Sequence, residues 1–319
     1  MVKKFKFMSN NQHNINYQEA PAPSGGCYSE NKLQKLGFPN LSGKKFLDIG
    51  CNMGFYCKYA QTQGAIRVVG VDIDKQVINS ARQNNDGIEF FDSGWDDFPS
   101  GEFDVIICLS AIHYAKDPIE LIENIRHHLS PGGLFILEGG VVGLGENFQS
   151  DLLIPSWRQI GDRCRHLSEG FVKNHLLTGF NWKLNGESEL RGGDNIPRYV
   201  IHATPKDPDF VTRSATVWHL DIQEYAACLA LSASTIVKNM PSFNYVQQLG
   251  LISPEFTSEN LIPILSAPDN FEAFVDDILF ALMPIKALTR LHLAQNLPSH
   301  FLKLLDERLS NAGIMVINR

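Results

Sequence analysis

Apolar runs and segments of helical period alternate along the first part of the chain. Between residues 43 and 138, short stretches rich in Val, Ile, Leu and Phe are separated by residues with a period near 3.6. This alternation predicts a parallel β-sheet with helices on both faces. The predicted strands lie at residues 46–49, 68–71, 88–91, 103–110 and 134–138, and the predicted helices lie near 54–63, 75–84 and 118–129.

The pattern beyond the fifth predicted strand is less regular. A Gly-rich loop is expected after Glu138, and two short helical stretches are expected within residues 155–178. Residues 179–185 and 197–203 have the composition of two more strands. The first 26 residues are rich in Asn, Gln, Pro and Gly, so we expect them to be mobile.

The period changes again at the Pro- and Asp-rich segment 204–209. Between Phe271 and Leu282, apolar residues recur at helical spacing with acidic residues opposite, which predicts an amphipathic helix that Pro284 should end. Helices are also expected at 221–240 and at about 298–310. The tail carries no catalytic motif, so we interpret it as a helical cap or a dimerisation module.

The composition limits the classes of function. The chain has 319 residues, of which 44% are hydrophobic and 20% charged, with a formal net charge of −7. When the chain is divided at residue 205, neither part has a positive net charge, which argues against a large nucleic-acid-binding surface. Basic residues do cluster within residues 158–173, where a solvated helix face explains them equally well. No apolar run is long enough to span a membrane and the start lacks a signal-peptide core, so a cytoplasmic location is expected.

The six cysteines show neither a C-x-x-C pair nor zinc-ligand spacing. Cys51, Cys57 and Cys108 fall in or near predicted core elements, where a thiol behaves as a small hydrophobe. We therefore expect reduced thiols and no metal site.

The segment that bears the chemistry follows the first predicted strand. In Gly50-Cys51-Asn52-Met53-Gly54, two glycines supply backbone freedom, and Asn is the non-glycine residue that best tolerates a positive φ. The second predicted strand ends in Asp72. A strand, a glycine turn, a helix and a second strand that ends in an acid are typical of a nucleoside-binding α/β unit, where the acid holds ribose hydroxyls. Asp72 could also cap the next helix.

These residues resemble motif I and its partners in the class I S-adenosylmethionine (SAM) methyltransferases. The resemblance covers about residues 41–204 and includes the later segments 69–74, 88–93, 103–114 and 130–138 in register. It implies a Rossmann-like, seven-stranded α/β sheet that is mostly parallel with an antiparallel last strand, followed by a C-terminal α-helical domain. The implied divisions are an N-terminal arm with a short helix over the cofactor site (1–40), a SAM-binding domain (41–205) and a helical cap or dimerisation region (206–319).

The resemblance also implies SAM as the cofactor and S-adenosyl-L-homocysteine (SAH) as the product. Asp72 would hold the ribose, Asp92 and Ser93 would face the adenine, and Leu109 would flank the methionyl part. Asp48 would face the cofactor amine, although it could instead satisfy buried backbone donors. The full set of implied cofactor-binding residues is Asp48, Gly50, Cys51, Asn52, Gly54, Asp72, Ile73, Asp92, Ser93 and Leu109.

Methyl transfer from a sulfonium needs mainly alignment, and it needs a general base only where the nucleophile carries a proton. His113 and Tyr114 follow the fourth predicted strand, at the sheet edge where ligands bind in open α/β folds. We take them as the catalytic candidates, with His113 as the base because its pKa range suits proton removal near neutral pH. A packed, structural histidine is the alternative, and Glu138 is a weaker candidate for the base.

The segment Leu47–Tyr56 is most similar to the branch of the family that modifies the wobble uridine of tRNA. That branch usually has a longer, more basic N-terminal region, and the tail after residue 205 is foreign to it. We therefore expect O- or N-methylation of a small-molecule or natural-product acceptor by a possible homodimer. RNA modification, a protein or peptide substrate, and a non-catalytic SAM-fold scaffold remain the alternatives.

Overall fold

A computed structural model describes the chain over residues 29–95, 97–144, 151–157, 163–188, 196–206, 217–221, 268–282, 284–286, 288–293 and 297–318. The expected mobility of the first 26 residues lies outside these residues, and so does the predicted helix at 221–240 beyond its first residue. So do Cys27 and Cys228 and the side chains of Cys164, Phe271 and Phe274.

Five parallel strands form the centre of the main sheet in the order β3-β2-β1-β4-β5. Their bounds are β1 Lys45–Ile49, β2 Arg67–Val71, β3 Glu89–Phe91, β4 Phe103–Leu109 and β5 Leu129–Val142. The helices between them are α2 Phe55–Thr62, α3 Lys75–Asn84 and α4 Pro118–His128, with a 3₁₀ turn at Ile112–Tyr114. The predicted alternation of strands and helices is therefore confirmed over this part of the chain.

Two more strands continue the sheet beyond β5. β9 (Arg198–Pro205) runs antiparallel to β5, and β8 (Phe180–Glu187) runs antiparallel to β9. The arrangement β3-β2-β1-β4-β5-β9-β8 is the seven-stranded order that the resemblance implies. Of these strands β9 comes last along the chain, and it runs antiparallel to its two neighbours.

The region after Glu138 differs from the sequence prediction. β5 continues through the expected Gly-rich loop to Val142, and its end pairs in parallel with β7 (Arg163–Ser168), which pairs antiparallel with β6 (Ile154–Trp157). Two strands therefore stand where the first of two short helices was predicted, and the described residues form a main sheet of nine strands rather than seven. The predicted solvated helix face is also wrong at Arg165, because this side chain is buried in β7 and donates to the carbonyls of Ala115 and Lys116.

The second predicted helical stretch is present as one short element. The three-residue helix α5 (Glu169–Phe171) continues as a π-helical turn through Leu176. The short helix expected near residues 28–37 is also present, as α1 (Ser29–Leu36).

The described part of the tail is α/β rather than wholly helical. The two predicted helices are present, and three short parallel strands that the sequence pattern did not reveal form a second sheet in the order β10-β11-β12. The bounds are β10 Val217–Leu220, α6 Pro268–Leu282, β11 Arg290–Leu293, α7 Ser299–Ser310 and β12 Met315–Asn318.

The tail packs on the methyltransferase-like sheet through a shared apolar core. Val275, Ile278 and Leu282 of α6 and Trp218 of β10 are fully buried in the same cluster as Phe171. A second apolar layer, formed with α1, α2 and α3, covers the other face of the sheet. Among the described residues, no helix combines the length and the apolar character needed to cross a bilayer.

Candidate cofactor and acceptor site

A cavity of about 1050 Å³ opens at the carboxyl ends of β1, β2 and β4. This is the edge at which ligands bind in open α/β sheets. Seven of the sequence-predicted site residues line it, namely Gly50, Asn52, Asp72, Ile73, Ser93, Leu109 and Tyr114.

The glycine turn after β1 has the backbone that its sequence predicts. Gly50, Asn52 and Gly54 all have positive φ, at 76°, 49° and 79°. A Cβ on Gly50 would lie 2.8 Å from the Cβ of Ala111, so a side chain here would clash with Ala111, which also lines the cavity.

Gly54 is needed for a different reason than the predicted approach of a ligand. A Cβ at this position would lie 2.6 Å from the Phe90 ring of β3, and Gly54 is not among the described residues that line the cavity. Cys51 is likewise buried in the core behind the turn. These two residues therefore shape the loop without lining the cavity.

Asp72 lies half-buried at the end of β2, where it faces the cavity. Burial raises the pKa of its carboxyl, while hydrogen bonds from the backbone amides of Asp74 and Asn52 act in the opposite direction. Asp74, not Asp72, caps α3, because its side chain accepts from the amides of Gln76 and Val77. The carboxylate of Asp72 therefore remains available to a bound molecule, as the ribose-binding role requires.

Asp48 does not face the cavity as predicted. Side chains alternate along β1, so Asp48 points with Phe46 to the opposite face from Leu47 and Ile49. There its Oδ2 lies 3.6 Å from the Sγ of Cys57 on α2. Burial raises the pKa of Asp48 to about 8, so the carboxyl is mostly protonated at neutral pH.

The structure places the two residues that were predicted to face the adenine, Asp92 and Ser93, in different environments. Asp92 is exposed and forms an ion pair of 3.2 Å with Arg82, away from the cavity lining. Ser93 lines the cavity, and its buried hydroxyl has no hydrogen-bond partner among the described residues. A buried hydroxyl without a partner is costly, so this group fits a polar ligand such as the adenine ring.

The two catalytic candidates also occupy different environments. Tyr114 is 43% exposed and lines the cavity. His113 is 4% exposed and is not among the described cavity-lining residues, and its ring packs 4.2 Å from that of Tyr114 and 6.3 Å from that of His166. This placement favours the alternative interpretation of His113 as a packed histidine.

The sequence analysis missed a buried polar network beside the cavity. Lys32 of α1 and Arg198 of β9 both bond to Glu138 of β5, and both also bond to Ser110, which follows β4. Ser110 has a positive φ of 54°, which is uncommon for serine. The isolated acid in the apolar run of β5 was the available sequence signal, because such an acid needs a buried cation.

This network also removes Glu138 as a base. Burial alone would raise the pKa of Glu138, but the charges of Arg198 and Lys32 together with hydrogen bonds from Arg198 and Ser110 hold it well below its usual range. A carboxylate that accepts four hydrogen bonds and stays ionised is a poor proton acceptor at neutral pH.

The tail contributes the outer rim of the cavity. Pro284 and Lys286, which follow α6, are among its lining residues. The amide of Lys286 donates to Asp117 Oδ2 at 3.1 Å, and its ammonium contacts both carboxylate oxygens of Glu120 at 2.9 Å.

The proteins to which this chain is similar include methyltransferases. A family model described as a methyltransferase domain matches residues 26–177. The tRNA U34 carboxymethyltransferase of Alteromonas mediterranea is 31% identical over 113 residues, which are 32% of this chain and 34% of that protein. An uncharacterized protein of Haemophilus influenzae is 30% identical over 181 residues, which are 52% of this chain and 68% of that protein.

Among solved structures, an S-adenosylmethionine dependent methyltransferase from Mesorhizobium loti is similar, with a TM-score of 0.41 and 21% identity over 52% of this chain and 93% of its own. The chain spans about a third of the length of the first curated relatives it matches. The segment matched by the family model carries the glycine turn, Asp72 and most of the cavity. The chain therefore carries a methyltransferase domain over residues 26–177, within the α/β sheet that the class I SAM-dependent resemblance implies.

Proposed function

We propose that the protein transfers a methyl group from SAM to an oxygen or nitrogen of a small-molecule or natural-product acceptor. The observation that carries this proposal is the cavity, which the glycine turn and Asp72 bound on one side and Pro284 and Lys286 of the tail bound on the other. Pockets for one drug-sized ligand measure about 300–1,000 Å³. A volume of about 1050 Å³ is at the upper end of this range, which supports a site for the cofactor together with a small acceptor.

The residues that would hold the cofactor fit its chemistry. Asp72 offers carboxylate oxygens to ribose hydroxyls, Ser93 offers a hydroxyl without a described partner to the adenine, and Gly50 lines the cavity with backbone alone. When bound, SAM supplies an electrophilic methyl group on a positively charged sulfur. The protein has mainly to align the acceptor and to exclude water.

Tyr114 is the side chain best placed to orient the acceptor. Its ring lines the cavity beside the end of β4, and the packed His113 ring supports it. Under this proposal, Tyr114 hydrogen-bonds the acceptor, and an acceptor that carries a proton releases it to solvent after methyl transfer, when the product leaves the site. The geometry supports alignment by the described residues more than proton removal by His113.

The charges that line the cavity support a small acceptor over RNA. Four acids (Asp72, Asp74, Asp117 and Glu120) lie among the lining residues with three lysines (Lys32, Lys116 and Lys286). A lining with this balance is not the basic groove that a nucleic-acid backbone requires. RNA modification is the second candidate because of the tRNA U34 carboxymethyltransferase relatives.

Transfer from methyl-labelled SAM distinguishes these candidates. The protein is incubated with a small-metabolite extract and, separately, with total tRNA, and the label is followed in each fraction. Label in extractable small molecules supports the proposal, whereas label in acid-precipitable tRNA supports RNA modification. SAH binding without transfer to any fraction would favour the non-catalytic scaffold.

A further inference from the structure

Arg165 lies on β7, one of the two strands that extend the main sheet beyond the seven expected. Its side chain is buried, and its Nη2 lies 2.6 Å from the carbonyl oxygen of Ala115 and 2.6 Å from that of Lys116. This guanidinium nitrogen carries two hydrogens, so it can donate to both oxygens. Hydrogen bonds from a charged donor are stronger than those between neutral groups. Arg165 therefore holds two consecutive peptide units that lie between the 3₁₀ turn and α4.

These peptide units belong to residues 111–117, which we call the acceptor loop. The two ends of the loop are held by local contacts. At its start the amide of Tyr114 donates to the carbonyl of Ala111, and at its end the side chain of Asp117 caps α4. Ala115 and Lys116 lie in neither helix, and Arg165 supplies their carbonyl oxygens with hydrogen bonds from a strand 49 or more positions away.

The acceptor loop forms one wall of the cavity. Ala111, Tyr114, Lys116 and Asp117 are among the lining residues, and Tyr114 is the side chain proposed to orient the acceptor. Methyl transfer depends on the alignment of the acceptor with the methyl group, and a displacement of about 1 Å can lower a rate about 10²-fold. Contacts that fix this loop therefore bear on the rate of transfer.

The same guanidinium contacts the tail. Its Cζ lies 5.2 Å from the centre of the Phe280 ring on α6, which is within the range of a cation–π contact. α6 ends at Leu282, and Pro284 and Lys286 just beyond it line the cavity. One side chain of β7 thus contacts both the acceptor loop and the helix that leads to the outer rim of the cavity.

We propose that Arg165 is a positioning residue for methyl transfer, which holds the acceptor loop and the end of α6 in the arrangement that aligns the acceptor. Arg165 is not among the described residues that line the cavity, so it acts through the loop backbone and through Phe280. We expect its effect on the acceptor rather than on the cofactor, because Gly50 and Asp72 lie on other elements. This inference rests on the proposed function and names a residue on which its geometry depends.

The test compares Arg165→Met with Arg126→Met, which removes an arginine of α4 that pairs with Glu123 on the same helix. Calorimetry measures SAH affinity, and steady-state assays use the acceptor that the labelling experiment identifies. We expect Arg165→Met to lower kcat/KM for the acceptor by about tenfold or more, with SAH affinity within about twofold of wild type. Arg126→Met should change neither value by more than about twofold.

Arg165→Lys separates positioning from the filling of space. Lysine keeps a charge and hydrogen-bond donors, whereas Met keeps only an apolar stem of similar reach. If Arg165 positions the loop through hydrogen bonds, Arg165→Lys retains a higher kcat/KM than Arg165→Met. If Arg165 only fills space in the core, the apolar Met is tolerated better than the charged Lys, and this order would overturn the proposal.

Hydrogen exchange followed by mass spectrometry tests the arrangement without an acceptor. The amides of Tyr114 and Ala115 donate within the 3₁₀ turn, so their exchange reports opening of the loop. Arg165→Met should speed exchange at these amides by about tenfold and leave β1 protected. Phe280→Leu should also speed it, although this substitution lies on the tail. Unchanged exchange at Tyr114 and Ala115 in Arg165→Met would show that Arg165 does not hold the loop.

The remaining outcomes separate this inference from the proposed function. Unchanged kcat/KM in folded Arg165→Met would overturn the positioning role. Equal losses of SAH affinity and kcat/KM would mean general damage and would also overturn it. Wild-type protein that transfers no methyl group to any fraction would overturn the proposed function, and hydrogen exchange then decides by itself whether Arg165 holds the loop. If Arg165→Met does not fold, Arg165→Gln replaces it in the same measurements.

Discussion

The backbone amide of Asn52 donates a hydrogen bond of 3.0 Å to Oδ2 of Asp72. This bond joins the glycine turn after β1 to the end of β2. The other carboxylate oxygen, Oδ1, accepts from the amide of Asp74 at 3.0 Å. The two contacts fix the orientation of the carboxylate in the cavity while each oxygen keeps capacity for a ligand hydroxyl.

Asp72→Ala should weaken SAH binding by about 1.5–3 kcal/mol, or roughly 10- to 150-fold, because charge-assisted hydrogen bonds to the ribose are lost. Calorimetry measures the effect directly. Asp92→Ala is the matched control, since Asp92 is exposed and pairs with Arg82 away from the cavity, and its SAH affinity should stay near that of wild type. If the two variants bind SAH alike, Asp72 does not hold the ribose.

Ser93→Ala should separate cofactor binding from protein stability. If the Ser93 hydroxyl bonds to the adenine, its removal costs about 0.5–1.5 kcal/mol of SAH affinity. The free protein should be as stable as wild type or slightly more so, because a buried hydroxyl without a described partner is removed. Calorimetry with SAH and urea unfolding without it give the two values, and a loss of stability with full SAH affinity would contradict this role.

Tyr114→Phe should lower methyl transfer more than His113→Asn does. Tyr114 lines the cavity, whereas His113 is packed between Tyr114 and His166. We expect Tyr114→Phe to reduce kcat/KM by about tenfold through the lost hydrogen bond. Assays use the acceptor that the labelling experiment identifies, with SAH affinity as the control. A fall of about 10²-fold or more in His113→Asn, with SAH affinity unchanged, would instead establish His113 as the base.

Asp48 should make the protein less stable as the pH rises. Its pKa is raised from 3.8 to about 8 in the folded chain, so the folded state retains a proton that the unfolded state loses. Between these two values, stability falls with increasing pH, by at most about 1.4 kcal/mol per pH unit from this group. Asp48→Asn should lose this dependence. Urea unfolding at pH 5.5 and 7.5 measures the difference between the two proteins, and parallel pH profiles would show that Asp48 does not titrate in this range.

Removal of the tail should expose the core that it covers. A chain ending at Lys206 lacks Trp218, Ile278 and Leu282, which are buried in one cluster with Phe171. We expect this truncated protein to aggregate during size-exclusion chromatography while the soluble fraction still binds SAH. Lys286→Ala is the control, because it removes an exposed ion pair with Glu120 and no buried apolar group, so it should remain soluble. A truncated protein that is monomeric and fully active would exclude the tail from the site.

The glycine turn and the central strands were predictable because they depend on local rules. Gly50 and Asn52 have residue types that tolerate positive φ, and the apolar runs of β1, β2 and β4 match their burial. The Lys32–Glu138 contact was not predictable in the same way, since it joins residues 106 positions apart in the chain. The isolated acid in β5 indicates that a buried cation is needed, but local sequence does not indicate which distant residue supplies it.

The sequence by itself determined the order of strands and helices up to β5, the acid at the end of β2 and the negative net charge. Local periodicity and residue type are sufficient for these features. Only the tertiary structure decided that Asp48 turns away from the cavity while Ser93 lines it, that β6 and β7 extend the sheet, and that Lys286 reaches the cavity rim. Each of these depends on which distant segments pack together, and the free energy of packing is set by the whole fold rather than by any short segment.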